Sequence, residues 1–501
     1  MLSLYHSTPF TRCPAPFNLA AHVLAAGERL PDKDALCIVS EGHVERWSYG
    51  DLRGAVLGTA TGLLKAGFQP GDKLLFRLGN SADFPICYLA ALAADLVPVP
   101  TSSSLTQRET AQIIAALKPA GVLHDASVVT AAHPRTLSDQ ELLQMRDLPP
   151  TSPSLGDPER LGYIIYTSGT SGIPRAVAHA HRSIWARQMM FDSWDGLRAD
   201  DRVMHAGAFN WTYTLGTGLM DPWTIGATAF IPAPGTPVEA LPALMKAHEV
   251  SIFAAAPGVY RQLLDRAPDL VLPSLRHGLS AGEKLSPDIA ASWREKSGRQ
   301  IYEAYGMSEC STFISQPAGK PVDPKTLGQP QSGRRVALLK DGKPVAAGQE
   351  GTIAVHRSDP GLMLGYLDAP DETAARMSGD WFLTGDQAVM NAQRALIYLG
   401  RHDDMMNAGG FRVSPIEVET VLGQCPGIDT VGVTEVEVKA DTRVIAAFYT
   451  GPEPLDDFNL HAYVKENLAR YKQPRLFIHL AELPLGNNGK LMRRALAAAY
   501  E

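Results

Sequence analysis

Tyr166-Thr167-Ser168-Gly169-Thr170-Ser171-Gly172-Ile173-Pro174-Arg175 concentrates groups suited to holding a phosphate. Thr167, Ser168, Thr170 and Ser171 bring neutral hydroxyl donors. Gly169 and Gly172 let backbone N–H groups turn inward, and Arg175 offers a planar cation to an anion. The Gly-Lys-[Ser/Thr] ending of a P-loop is missing, and a flexible linker has a similar composition. On these residues alone the two readings stand level. Two carboxylates follow: Glu309, after Tyr305-Gly306-Met307-Ser308, and Asp386, after Trp381-Phe382-Leu383-Thr384-Gly385. Each has a pair of oxygens able to accept hydrogen bonds or hold a hard cation. Lys490 closes Leu485-Gly486-Asn487-Asn488-Gly489 near the end of the chain. Taken singly, each also reads as an ordinary solvated residue.

These residues need elements to position them. Gly162–Tyr166 is a β-type run ahead of the loop, and a helix is expected from about His181, giving strand, loop and helix. His179 and His181 stand two apart with no third ligand in view, so packing or capping at that helix start is expected rather than a metal pair. Helices are expected at Asp51–Ala66, Ser81–Leu96, Val238–Ala247 and Pro257–Arg266. Between them lie short apolar strands at Lys73–Leu78, Val97–Pro100, Ala227–Ile231, Ser251–Ala255 and Ile301–Ala304. Such alternation implies layered α/β architecture with largely parallel sheets. After about Gly333 the glycines Gly342, Gly348, Gly351 and Gly365 punctuate short strands such as Thr352–His356, indicating a β-rich subdomain. A small α+β domain closes the chain, with helices expected at Ser414–Gly423 and Leu460–Tyr471 and a strand at Thr442–Tyr449. The fold class is therefore α/β, with a large N-terminal domain over 1–400 and a small C-terminal domain over 405–501. The boundary is placed at 401–404.

A chain of 501 residues exceeds what one compact core usually serves. The formal net charge of −7 argues against non-specific nucleic-acid binding. Five scattered cysteines form no C-x-x-C pair, which speaks against a disulfide framework or zinc knuckle. Cys310 is expected to be a small packed hydrophobe rather than a nucleophile. No signal peptide or membrane span is expected, and a cytoplasmic monomer or homodimer is.

Tyr-Thr-Ser-Gly-Thr-Ser-Gly-x-Pro-Arg resembles the phosphate-loop motif of the adenylate-forming superfamily, which holds acyl-CoA synthetases, peptide-synthetase adenylation domains and beetle luciferases. The similarity continues in order from about Phe17 to Arg493. It resembles most the acyl- and aryl-CoA ligase branch, of benzoate-CoA ligase-like or medium-chain type. One departure is Pro174-Arg175-Ala176, where the family has Pro-Lys-Gly; Arg keeps the charge but not the compactness of Lys.

The resemblance implies roles residue by residue. Tyr305, with Gly306 and Ser308 in the same motif, would stack on adenine, and Glu309 would help hold Mg²⁺. Ser280-Ala281-Gly282-Glu283 resembles the segment lying along the purine. Asp386 and Arg401 resemble the two ribose contacts. Asp403 matches the hinge of a mobile C-terminal lid, Gly409 and Gly410 the passage for the pantetheine arm, and Lys490 the catalytic lysine. Thr167 would act with the phosphate loop. Phe209, Asn210, Trp211 and Tyr213 fall where the family lines its acid pocket. Asn210 stands where amino-acid-activating relatives commonly place Asp, which argues against an α-amino acid. Gly306 replaces the Trp of acetate-specific relatives, implying room for a larger acid.

The implied activity is ATP-dependent ligation of a carboxylic acid to coenzyme A through an acyl-adenylate. The small-molecule acid is expected to be aromatic (benzoate-like) or of medium chain length, with ATP, Mg²⁺ and coenzyme A as co-reactants. Alternatives are an enzyme loading a carrier protein, a luciferase-like oxygenase, and a non-catalytic nucleotide-binding relative.

Overall fold

The computed structural model describes the chain except residues 168–174, 268, 402, 403, 405, 409, 410, 440, 441, 469, 487–489 and 501. The chain forms two compact units. The larger comprises His6–Arg335 and Val355–Asp380; the smaller comprises Met1–Tyr5, Val336–Ala354 and Trp381–Glu501.

The larger unit is built on a nine-stranded sheet. Its six inner strands, Ile301–Met307, His277–Ala281, Ile252–Ala255, Arg202–His205, Thr228–Pro232 and Asp34–Ser40, run parallel in that spatial order. They read as nearly unbroken apolar runs because helices cover both faces of such a sheet. Antiparallel strands close both sides: His43–Ser48 at one, and Ser311–Ser315 followed by Gln329–Pro330 at the other. Large aromatics fill the layers with their polar ends satisfied: fully buried Trp223 donates to the Ala35 carbonyl at 2.7 Å and Trp194 to that of Tyr302 at 3.0 Å. A second, four-stranded parallel sheet contains Val97–Pro100, Lys73–Arg77, Gly121–His124 and Thr136–Ser138.

Many helix limits follow from local chemistry. Pro257–Arg266 starts where Pro occupies the first turn, whose missing N–H costs nothing there. Tyr49–Lys65 starts from a Ser48 cap.

The expected order of strand, loop and helix needs one correction, because a second strand comes between the loop and the helix. Leu161–Thr167 pairs antiparallel with Arg175–Ala180, so the loop joins two strands of a hairpin. Gly365–Tyr366 adds a third strand. Alternating Arg-Ala-Val-Ala-His-Ala suits this strand, with Val177, Ala178, His179 and Ala180 all buried. The short helix Ser183–Arg187 follows.

In the smaller unit the antiparallel strands Trp381–Met390 and Leu396–Arg401 belong to a sheet that also contains Glu350–His356 and Arg335–Lys340. A second sheet pairs Thr430–Lys439 with Thr442–Thr450, beside which Leu476–His479 runs parallel. Helices Pro415–Leu422, Asp457–Asn467 and Arg493–Ala498 complete it. The expected helix Leu460–Tyr471 thus begins earlier and ends sooner: Leu468 is already extended, and Arg470–Lys472 is a separate 3-10 turn. No helix among the described residues is long and apolar enough to cross a membrane.

Candidate active site

The larger unit gathers the phosphate-loop hairpin and the Tyr305–Glu309 motif. At the hairpin neck Thr167 lies opposite Arg175, and residues 168–172 fall outside the described residues. Two side chains tie the hairpin to the motif. His179 Nε2 is 2.7 Å from the Ser308 carbonyl oxygen, and the Tyr366 hydroxyl donates to Glu309 Oε1 at 2.7 Å. The Glu309 carbonyl also accepts from Met363 N at 2.7 Å. Burial, and then the Glu309 carboxylate, push the Tyr366 phenol up, so it stays a donor. Arg175 lies over the Tyr366 ring, 5.0 Å from its centroid, and its Nε donates to Glu372 Oε2 at 3.0 Å. One tyrosine therefore contacts both the cation after the loop and the candidate metal-holding carboxylate.

Histidines expected at a helix start serve other ends. His179 is a strand residue stacked on Tyr163, with centroids 4.9 Å apart. His181 Nδ1 accepts from the backbone of Leu19 at 3.1 Å, so it does cap a helix start, but that of Leu19–Leu24.

Tyr305 sits on the strand Ile301–Met307 with its ring edge-on to Phe313 at 5.3 Å. Gly306 marks a bulge in the pairing with Ser311–Ser315, and a Cβ there would stand 2.1 Å from the Ser311 carbonyl oxygen. Close backbone approach therefore requires a glycine at this position. Gly282 has φ +97, and a Cβ on it would meet the Trp211 indole at 2.9 Å. Trp211 thus lies against the Gly282–Glu283 turn, with Tyr213 at 5.8 Å. Phe209 is packed as core against Phe84, and Asn210 is half-buried.

Four features here carry no local sequence signal. Arg187 makes a buried bidentate pair with Asp221, at 2.7 and 2.6 Å. Burial, with Asp221 nearby, pushes the Asp195 carboxyl up to about 8, so it is largely protonated at neutral pH. Glu303 is buried and accepts from Lys284 Nζ at 2.5 Å and Leu285 N at 2.8 Å. The fourth is the Tyr366–Glu309 bond. Cys310 is fully buried and its thiol is held well above the ordinary value by burial, in keeping with a packed hydrophobe.

The smaller unit holds the other candidates. Asp386 is directly opposite Arg401 in their antiparallel pair, and the Tyr398 hydroxyl donates to Asp386 Oδ1 at 3.0 Å. Lys490 has an exposed side chain at the end of a pinned loop: Gly486 N donates to the Lys490 carbonyl at 2.7 Å, and Leu485 bridges to Leu491. Just beyond, Arg493 engages the half-buried Glu419 in a bidentate pair, one arm at 2.8 Å, while Glu419 also accepts from Val433 N. Asp403, Gly409 and Gly410 lie outside the described residues.

The family model described as AMP-binding enzyme matches residues 24–367, and the AMP-binding enzyme C-terminal domain matches 417–490. The chain belongs to the AMP-binding enzyme family. Among curated family relatives, the mitochondrial acyl-coenzyme A synthetase ACSM3 of Rattus norvegicus is 27% identical over 528 residues, covering 96% of this chain and 90% of its own length. ATP-bound MatB from Rhodopseudomonas palustris superposes with a TM-score of 0.88 at 24% identity, covering 96% of this chain and 98% of that one. A benzoate CoA ligase from Burkholderia xenovorans LB400 gives 0.86 at 25% identity, covering 96% and 100%. These likenesses bear out the α/β fold with a large N-terminal and a small C-terminal domain.

Proposed function

We propose that the chain is an ATP-dependent carboxylic acid–CoA ligase that forms an acyl-adenylate and then a thioester. The observation that carries this reading is the joining of the loop hairpin to Glu309 through Tyr366. It gives the strands that flank the candidate phosphate loop and an acidic oxygen pair a common frame. Acyl-coenzyme A synthetases that align over 96% of the chain support the thiol acceptor.

In the first half-reaction a carboxylate oxygen attacks the α-phosphorus of ATP, and the bond to pyrophosphate breaks. Both reactants are anionic, so their repulsion must be offset where charge shifts. Thr167–Gly172 supplies neutral donors, Arg175 a cation at the hairpin neck, and Lys490 a cation for the transition state. Glu309 is a half-buried oxygen donor already oriented by Tyr366, which fits a hard divalent ion. Mg²⁺ bound there would neutralise phosphate charge. Tyr305 and the Gly282–Glu283 turn receive the adenine, and Asp386 with Arg401 the ribose hydroxyls.

In the second half-reaction the thiol of coenzyme A attacks the acyl carbon, AMP leaves, and the thiol proton is released. In this reading a hinge at 401–404, within the smaller unit, lets the lid (405–501) pivot at Asp403, withdrawing Lys490 and presenting Gly409 and Gly410. One active site then serves two reactions. The acid is aromatic (benzoate-like) or of medium chain length, and the enzyme is a cytoplasmic monomer or homodimer.

Lys490→Ala tests the scheme. Adenylation, read as acid-dependent pyrophosphate exchange, should fall by about 10²-fold or more, as for loss of a single transition-state donor. Thioester formation from supplied acyl-AMP should be largely spared. Equal loss of both steps refutes the alternation, and transfer to a carrier protein in place of free coenzyme A would reassign the acceptor.

A further inference from the structure

Behind the Tyr305–Glu309 motif, the larger unit holds a narrow cleft reached by Met307 and Ser308. Ile165, Leu215 and Met220 make apolar walls, and Tyr88, His179 and Arg187 share the same space. These three polar groups are incompletely satisfied. Tyr88 is fully buried and its hydroxyl has no partner among the described residues. His179, 3% exposed, has Nε2 against the Ser308 carbonyl. A carbonyl oxygen only accepts, so Nε2 carries the hydrogen. Burial lowers the imidazole to about 4, and the ring is neutral. Its Nδ1 is then a bare acceptor, with no donor among the described residues.

Arg187 adds the complementary group. Its Nε and Nη2 engage Asp221 and Thr217, and Nη1 engages Ser311 at 2.5 Å. A guanidinium has five N–H donors. One on Nη1 therefore remains beyond these four bonds. Buried polar groups are normally satisfied, so an acceptor, a donor and a hydroxyl left over around one cleft describe a missing polar group of matching pattern.

We propose that this cleft receives the far end of the acid substrate and that the acid carries a hydroxyl group there. The hydroxyl donates to His179 Nδ1 and accepts from both Tyr88 Oη and Arg187 Nη1, while the body of the acid lies along the apolar walls. A second carboxylate does not fit: it would face the His179 lone pair, and the Arg187 charge is already matched by Asp221. An amino group offers His179 a proton but little lone pair to the two donors. This inference rests on the ligase reading above.

The test is coenzyme A-dependent pyrophosphate release by the full chain with matched acids: benzoate against 3- and 4-hydroxybenzoate, hexanoate against 6-hydroxyhexanoate, and the corresponding dicarboxylates. In at least one pair kcat/KM should be about 10-fold or more higher for the hydroxy acid, since a site built to bond a hydroxyl leaves its own groups unpaired with the analogue lacking it. Tyr88→Phe deletes only an unpartnered hydroxyl and should cut that preference to about a third or less, the loss expected for one hydrogen bond. Equal kcat/KM across all pairs, preference for dicarboxylates, or an equal loss for both members of a pair in Tyr88→Phe overturns the inference and leaves the ligase reading standing. Absence of release with every acid overturns the ligase reading and this one with it.

Discussion

Tyr366→Phe removes one oxygen from the junction between loop and carboxylate and leaves the rest in place. The ring remains, so Arg175 keeps its position 5.0 Å above it. What disappears is a 2.7 Å O–H donation to Glu309 Oε1. Hydrogen bonds to a charged partner contribute about 1.5–3 kcal/mol. Glu309 is half-buried, so water can replace part of the lost donor, and the lower end applies. About 1.5 kcal/mol corresponds to about 10-fold in rate. The expected outcome is therefore an approximately 10-fold fall in kcat/KM for ATP in acid-dependent pyrophosphate exchange, with little change in the KM for the acid. Thermal melting should move only slightly, because Tyr366 keeps its packing. Exchange kinetics within a factor of about 2 of wild type would refute the view that this bond orients Glu309 for catalysis. A fall confined to the KM for the acid would move Tyr366 from the nucleotide side to the acid side.

Two further predictions concern stability. Arg187→Met should destabilise the larger unit by about 3–5 kcal/mol, because it strands the fully buried Asp221; adding Asp221→Leu should recover most of that loss, since an apolar pair of similar volume is often neutral. Denaturant titration of both variants checks it, and a double variant no more stable than the single one contradicts the pairing. His205 has both ring nitrogens unpartnered among the described residues, and burial lowers it to about 3, as it lowers His277 and His179 to about 4. The unfolded chain binds these protons at about 6.5, so stability should fall as pH drops from about 6.5 to 4. Each histidine contributes up to about 1.4 kcal/mol per pH unit. His205→Leu should flatten that slope between pH 6 and 4, and an unchanged slope would show that His205 does not carry it.

The strands and helices of the parallel sheet were legible because their signals are local. Pro257–Arg266 is bounded as its sequence indicates, and Val97–Pro100 likewise. The strand Arg175–Ala180 went unassigned because Gly/Ser/Thr loops precede helices and strands alike, and four of its six residues are buried in a row. The sequence motifs located the candidate residues but not what holds them. Tyr366 is 57 residues from Glu309, Arg187 is 34 from Asp221, and Arg493 is 74 from Glu419. Such pairs depend on how distant elements meet, and each partner alone is an ordinary tyrosine, arginine or acid.

Gly306 limits how this enzyme could change its diet. With the Ser311 carbonyl 2.1 Å from where a first side-chain atom would stand, the position admits no single-step replacement. Narrowing the pocket by placing an aromatic at 306 would first require re-registering the neighbouring strand Ser311–Ser315, the strand whose Ser311 hydroxyl also holds Arg187. On the proposed pocket assignment, change toward smaller acids is therefore channelled to Trp211, which lies outside these paired strands.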